Sequence, residues 1–110
     1  MTTASTHAGD TVVLRVAGRL DAITAPEFEE TCKRCITSET RKVVVDLEGV
    51  EYISSAGLRA VLLAGKTVQA GGGELGFSGL RGTAKDVLEM AGFCALFPVY
   101  DSVEVALESR

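Results

Sequence analysis

The chain contains no tryptophan, and aromatic residues make up 5% of its 110 positions. Flat side chains on which bases or sugars stack are therefore scarce. Positive charge is also short: 11 Lys and Arg face 15 Asp and Glu, leaving a net charge of −4 and a pI of about 4.9. Phosphate backbones and anionic bilayers both attract basic surfaces, so neither nucleic acid nor a charged membrane is an expected partner. Apolar runs all fall well short of the ~20 residues that span a bilayer, which excludes membrane insertion through a helix. Residues 1–10 are polar and lack the basic, apolar, small-residue order of a signal peptide. They read as a flexible N-terminal tail, and the default compartment is the cytoplasm.

Histidine is nearly absent. His7 is the sole one and falls in that tail, so a Ser-His-acid triad lacks a base held in place. The carboxylates are scattered; Asp46 and Glu48 frame a strand end, where polar residues are ordinary. No catalytic residue is expected, hence no enzyme, and no cofactor. Cysteine is limited to Cys32, Cys35 and Cys94. An odd count without an export signal argues against a disulfide framework. Cys32 and Cys35 form a C-x-x-C late in a helix, away from the N-terminal turn that would lower a thiol pKa. No further cysteine pair or nearby His completes a zinc site. Both are expected to be buried, metal-free thiols, packing as small apolar side chains. Gly71, Gly72 and Gly73 follow a helix and precede no Gly-Lys-Ser/Thr, so they are not a phosphate loop.

What is present is an alternation of elements. Thr11–Ala17 (TVVLRVA) is a β-branched run that predicts a strand, and Gly18–Asp21 turns or begins another short strand. Thr24 and Glu27 have capping-box spacing, and Pro26 suits the first turn of the helix that follows. Its buried face is Phe28, Cys32, Cys35 and Ile36. Lys42–Leu47 (KVVVDL) holds consecutive valines, which predicts a strand covered on both faces. A helix with Leu58, Val61, Leu62, Gly65 and Val68 inward ends at the glycine run. Glu74–Ser78 is a short strand. Thr83 then caps a helix with Ala84, Val87, Leu88 and Ala91 inward, ended by Gly92. Leu96–Tyr100 is a candidate edge strand, where Pro98 is tolerated. Asp101 and Ser102 cap a last short helix through Leu107. Strand, helix, strand, helix, strand, helix is the order of a single α/β domain.

The informative stretch is Val43–Leu63, VVVDLEGVEYISSAGLRAVLL. A hydrophobic strand ends, and Ser54 and Ser55 stand where the next helix begins. A serine there has an ordinary role as N-cap. It has a second possible role as a phosphate acceptor, because the first helical turn offers unpaired N–H groups and partial positive charge.

This stretch resembles the signature of the STAS family, the bacterial anti-sigma factor antagonists, whose usual pattern is Asp-Leu-x-x-Val-x-Tyr/Phe-Met/Ile-Asp-Ser-Ser/Thr/Ala-Gly-Leu. Gly18-Arg19-Leu20-Asp21 with Ala25, Gly72-Gly73-Glu74-Leu75, Leu88-Glu89-Met90-Ala91-Gly92-Phe93 and Leu96-Phe97-Pro98-Val99-Tyr100 resemble other parts of it. The resemblance implies a STAS domain over residues 11–110, with a central mixed β-sheet and helices packed against it. It implies a switch: unphosphorylated, such a protein binds an anti-sigma factor that is also a serine kinase, and frees a sigma factor. Phosphorylation ends the binding and a serine phosphatase resets it. The acceptor position is Ser55, and Ser54 replaces the usual Asp. Asp21, Tyr52, Ser54, Ser55 and Gly57 are the implied partner-binding positions. Some STAS domains are instead unphosphorylated subunits of transporter or lipid-trafficking complexes, which is the alternative reading.

Overall fold

Val43, Val44 and Val45 are each 0% exposed, because the strand that carries them is covered on both faces. In the computed structural model, which describes residues 1–108, that strand is β3, Lys42–Ile53. It is the middle of a five-stranded sheet of order β1-β2-β3-β4-β5. The others are β1 Thr2–Ala8, β2 Thr11–Leu20, β4 Glu74–Ser78 and β5 Val99–Tyr100. β1 is antiparallel to β2, and every other neighbouring pair is parallel.

Parallel neighbours need long crossovers. Helix α1, Ala25–Cys35, links β2 to β3, and α2, Ser55–Ala70, links β3 to β4. Helix α3, Gly82–Met90, and a short turn α4, Phe93–Leu96, lead to β5, after which α5 covers Val103–Glu108. Strand side chains alternate between faces. Leu14, Val43, Val45 and Phe77 join Phe28 of α1, Val61 of α2 and Leu88 of α3 in the main core. On the reverse face Val13 and Val44 meet Val103 and Ala106 of α5. Ser102 starts α5 as expected, its Oγ accepting from Val105 N at 3.2 Å.

Several expectations are corrected. Residues 2–8, read as part of a flexible tail, are strand β1, paired from Thr2 opposite Ala17 to Ala8 opposite Thr11. The joint is a two-residue hairpin loop, Gly9-Asp10, in which Gly9 has φ +64°, a value that suits glycine. Six of these seven residues are exposed, which explains their polarity. β3 runs past Leu47 to Ile53 because β2 follows it through two register shifts. A Cβ on Gly49 would come within 2.8 Å of the Ala17 Cβ, so the bare glycine is what lets the strands stay together there. α3 starts at Gly82 with Arg81 at its N-cap, so Thr83 lies inside it; Ala91 is exposed beyond its end. The expected edge strand from Leu96 shrinks to Val99–Tyr100. The residues before it turn inward, where Phe93 and Phe97 pack on Phe77 with ring centroids 6.4 and 5.6 Å away.

Cys32 and Cys35 are 7% exposed on the inner face of α1. Burial pushes the Cys32 thiol up to about 12, and the neighbouring Cys35 adds to the effect, since a desolvated thiolate is disfavoured. Among the described residues no group of three or more His, Cys, Asp or Glu is placed to hold a metal ion. No helix among them is long and apolar enough to cross a membrane.

Candidate functional site

The two serines stand at the carboxyl ends of β2 and β3, the edge at which open α/β sheets present their binding residues. Ser54 is the N-cap of α2, with extended backbone angles of φ −93° and ψ 176°. Its Oγ accepts from Gly57 N at 3.3 Å, and its carbonyl accepts from Leu58 N at 2.9 Å. Its own N–H donates to the Leu20 carbonyl at 3.0 Å, which ties the start of α2 to the end of β2. Ser55 is therefore the first residue of the helix. Its side chain is exposed and its hydroxyl has no partner among the described hydrogen bonds. One serine is committed to the backbone and the other is free for chemistry.

Ser54 stands where an Asp is usual in the motif. Ser and Asp cap helices about equally well, so the substitution preserves the helix start and removes one negative charge from beside the amino end of α2. The first turn of α2 contains no acidic residue. A dianion on Ser55 would meet the positive helix end, with Arg59 one turn further on at the spacing where side chains face each other.

Gly57 is buried, which places it beneath the surface instead of on it. A Cβ there would collide with the Leu20 carbonyl oxygen and reach within 3.0 Å of Leu20 Cγ. Its role is to let α2 approach β2.

Asp21 closes the end of β2. Its Oδ1 accepts from Ile23 N at 3.0 Å and Thr24 N at 3.1 Å, and its Oδ2 lies 3.5 Å from Arg19 Nε. The backbone N–H of Thr24, with help from that of Ile23 and from Arg19, holds its carboxyl below the usual carboxylate value against the opposing effect of burial. This settles the capping of α1 differently from the expected box. Thr24 is at the N-cap without a side-chain cap bond, because its Oγ accepts from Asp21 N at 2.9 Å and donates to the Arg19 carbonyl at 2.8 Å. Glu27 has no amide left to cap, since Asp21 has taken it. Asp21 shapes this edge by fixing the loop from Asp21 to Thr24.

Tyr52 is opposite Arg19 in the β2–β3 register. Its ring is 37% exposed and carries the Arg19 guanidinium 4.3 Å from its centroid, a cation–π contact. Arg19 was not singled out from the sequence, although its place one residue before the strand end gives it this neighbour. Ile23 was also missed. It lies in the loop that Asp21 holds, and it is 88% exposed. His7 pairs with Val12 near the opposite end of the sheet, remote from both serines.

The edge thus consists of Arg19 and Tyr52, the loop from Asp21 to Thr24, and the capped start of α2. It carries a free hydroxyl next to an anion-friendly helix end, an arrangement suited to protein contact and phosphate acceptance. Known proteins are similar to this chain in sequence and fold. The protein BtrV of Bordetella bronchiseptica, assigned as an anti-sigma factor antagonist, is 38% identical over 89 residues, covering 81% of this chain and 77% of that protein. The anti-sigma-B factor antagonist of Staphylococcus aureus is 32% identical over 92 residues, 84% of this chain and 85% of that one. The crystal structure of an anti-sigma factor antagonist from Mycobacterium paratuberculosis superposes with a TM-score of 0.85 at 27% identity, covering 97% of this chain and 91% of the other. The STAS domain profile matches residues 3–106, which takes in all of the sheet but Thr2 and includes both serines, and the chain belongs to the STAS domain family.

Proposed function

We propose that this chain is an anti-sigma factor antagonist switched by phosphorylation of Ser55. With Ser55 bare, the edge binds an anti-sigma factor that is also an ATP-dependent serine kinase, and a sigma factor is freed. In the transfer, Ser55 Oγ forms a bond to the γ-phosphorus of ATP and the bond to the β–γ bridging oxygen breaks. ADP leaves, and the hydroxyl proton passes to a base of the kinase. A serine phosphatase hydrolyses the phosphoserine and restores the hydroxyl. The names of the relatives from B. bronchiseptica and S. aureus support the antagonist role. The observation that carries the choice of acceptor is the division of labour between the serines: the Ser54 oxygen is bonded to Gly57 N while Ser55 is exposed.

The switch is electrostatic. Phosphate brings close to two negative charges at pH 7. Beside the helix end these are tolerated or slightly stabilising, by about 0.3–1 kcal/mol. The same charges inside a desolvated contact cost several kcal/mol by about the amounts measured for unpaired interface charges. Binding is lost and the fold is kept.

The test uses the anti-sigma factor kinases of the source organism, purified individually. Wild type, Ser55→Asp, Ser55→Ala and Ser54→Ala are each assayed for affinity, thermal melting and phosphate uptake from ATP. Wild type binds one kinase and takes up phosphate on Ser55; Ser55→Asp does not bind and melts as wild type does. Full binding by Ser55→Asp, or phosphate on Ser54 with Ser55 untouched, defeats the assignment.

A further inference from the structure

We propose that Ile23 is the apolar anchor of this interface, inserting into a hydrophobic pocket on the anti-sigma factor partner. The inference rests on the reading of the Ser55 edge as the contact surface and adds what supplies its affinity.

Exposure alone does not single out Ile23, since Met90 is 89% exposed as well and isolated surface apolars are ordinary. Position and stiffness do. Ile23 sits between Asp21, which accepts its N–H at 3.0 Å, and Thr24, whose hydroxyl donates back to the Arg19 carbonyl at 2.8 Å. The loop is thereby fixed to β2. Leu20, next to it, accepts the Ser54 N–H at 3.0 Å and packs against Gly57. One backbone joint therefore holds both the Ile23 loop and the start of α2. A β-branched side chain has few rotamers to lose, and a held loop has little backbone freedom to lose, so both lower the cost of docking. Met90, at the far end of α3, has a flexible side chain and no such frame.

The surroundings of Ile23 fit an interface centre. Arg19 stacked on Tyr52 supplies the residue types most enriched among binding hot spots, and both are within two strand positions of the loop. An apolar side chain projecting from such a rim fits a pocket, and the partner is accordingly one with an apolar cavity facing the switch serine.

The test uses the kinase that binds wild type in the Ser55 experiment. Titration calorimetry is run with Ile23→Ala, Ile23→Val and Met90→Ala, alongside thermal melts. Ile23→Ala weakens binding ~10- to 100-fold, Ile23→Val stays within a few-fold, Met90→Ala matches wild type, and all melt with wild type. Binding by Ile23→Ala within threefold of wild type overturns the anchor, and so does a lost affinity that comes with a lowered melting temperature. If Ser55→Asp abolishes binding while Ile23→Ala does not, the anchor falls and the switch stands. If wild type binds none of the kinases, both fall.

Discussion

Replacing Gly57 with alanine sets two effects of known size against each other. Helix propensity favours alanine over glycine by at most about 1 kcal/mol at Gly57, the third residue of α2. Packing opposes it, because the new methyl group would overlap the Leu20 carbonyl oxygen and press on Leu20 Cγ at 3.0 Å. The nearest obstacle is backbone, which cannot swing aside as a side-chain tip can. Overpacking of this kind costs about 1–3 kcal/mol. Relief requires α2 to move off β2, which stretches the bond from Ser54 N to the Leu20 carbonyl, worth about 0.5–1.5 kcal/mol more. The net effect is a destabilisation of about 2 kcal/mol, a fall in Tm of roughly 8–16 °C for a domain near this size. Urea denaturation and thermal melting of Gly57→Ala measure it directly. Gly71→Ala is the control, since a Cβ there meets nothing nearer than 3.6 Å. A Gly57→Ala protein as stable as wild type, or more so, would show that propensity dominates and that the α2–β2 contact is slack.

Ser54→Ala should lower stability by about 1 kcal/mol through loss of the cap, and Ser54→Asp should retain it; equal melting of Ser54→Ala and wild type would refute the capping assignment. Cys32 should resist thiol reagents at pH 8 until the protein is unfolded, and fast native labelling would contradict its burial. The same thiol gives a pH dependence. Its folded pKa, about 12, lies above its unfolded value, so the unfolded chain loses the proton first. That contribution to stability is intact below pH ~9 and is lost as pH rises toward the folded value; Cys32→Ser should flatten this alkaline limb of a stability–pH curve.

The alternation of elements and the buried valine strand were legible because both rest on local pattern, and Val43–Val45 could be covered only from both sides. The proposal of Ser55 as acceptor rests on a motif, and the geometry that leaves its side chain exposed is itself local, set by the cap that Ser54 makes. β1 escaped because an edge strand exposed on nearly every residue shows no apolar alternation, even though Gly9-Asp10 is a hairpin dipeptide. The capping box at Thr24 failed through competition. Asp21 lies as close in sequence as Glu27 and reaches the same amide, and spacing alone does not rank them. The packing role of Gly57 was not legible for a different reason. Its neighbour is the carbonyl of Leu20, distant in sequence, and only the β2–β3 pairing brings that backbone to it. Ile23 was passed over because a single apolar residue in a turn carries no period.

The joint at Leu20 also bears on timing. It binds the loop before α1 and the start of α2 into one frame, so the proposed switch has no hinge to open and no segment to reorder. Many regulatory transitions wait on such motions, over microseconds to seconds. Here the on and off states would differ by one covalent group on an unchanged scaffold. The interconversion would then run at the pace of the two proposed opposing enzymes alone, with no refractory interval after each reset. Under that proposal, the fraction of chains able to bind would be a direct running readout of kinase activity against phosphatase activity.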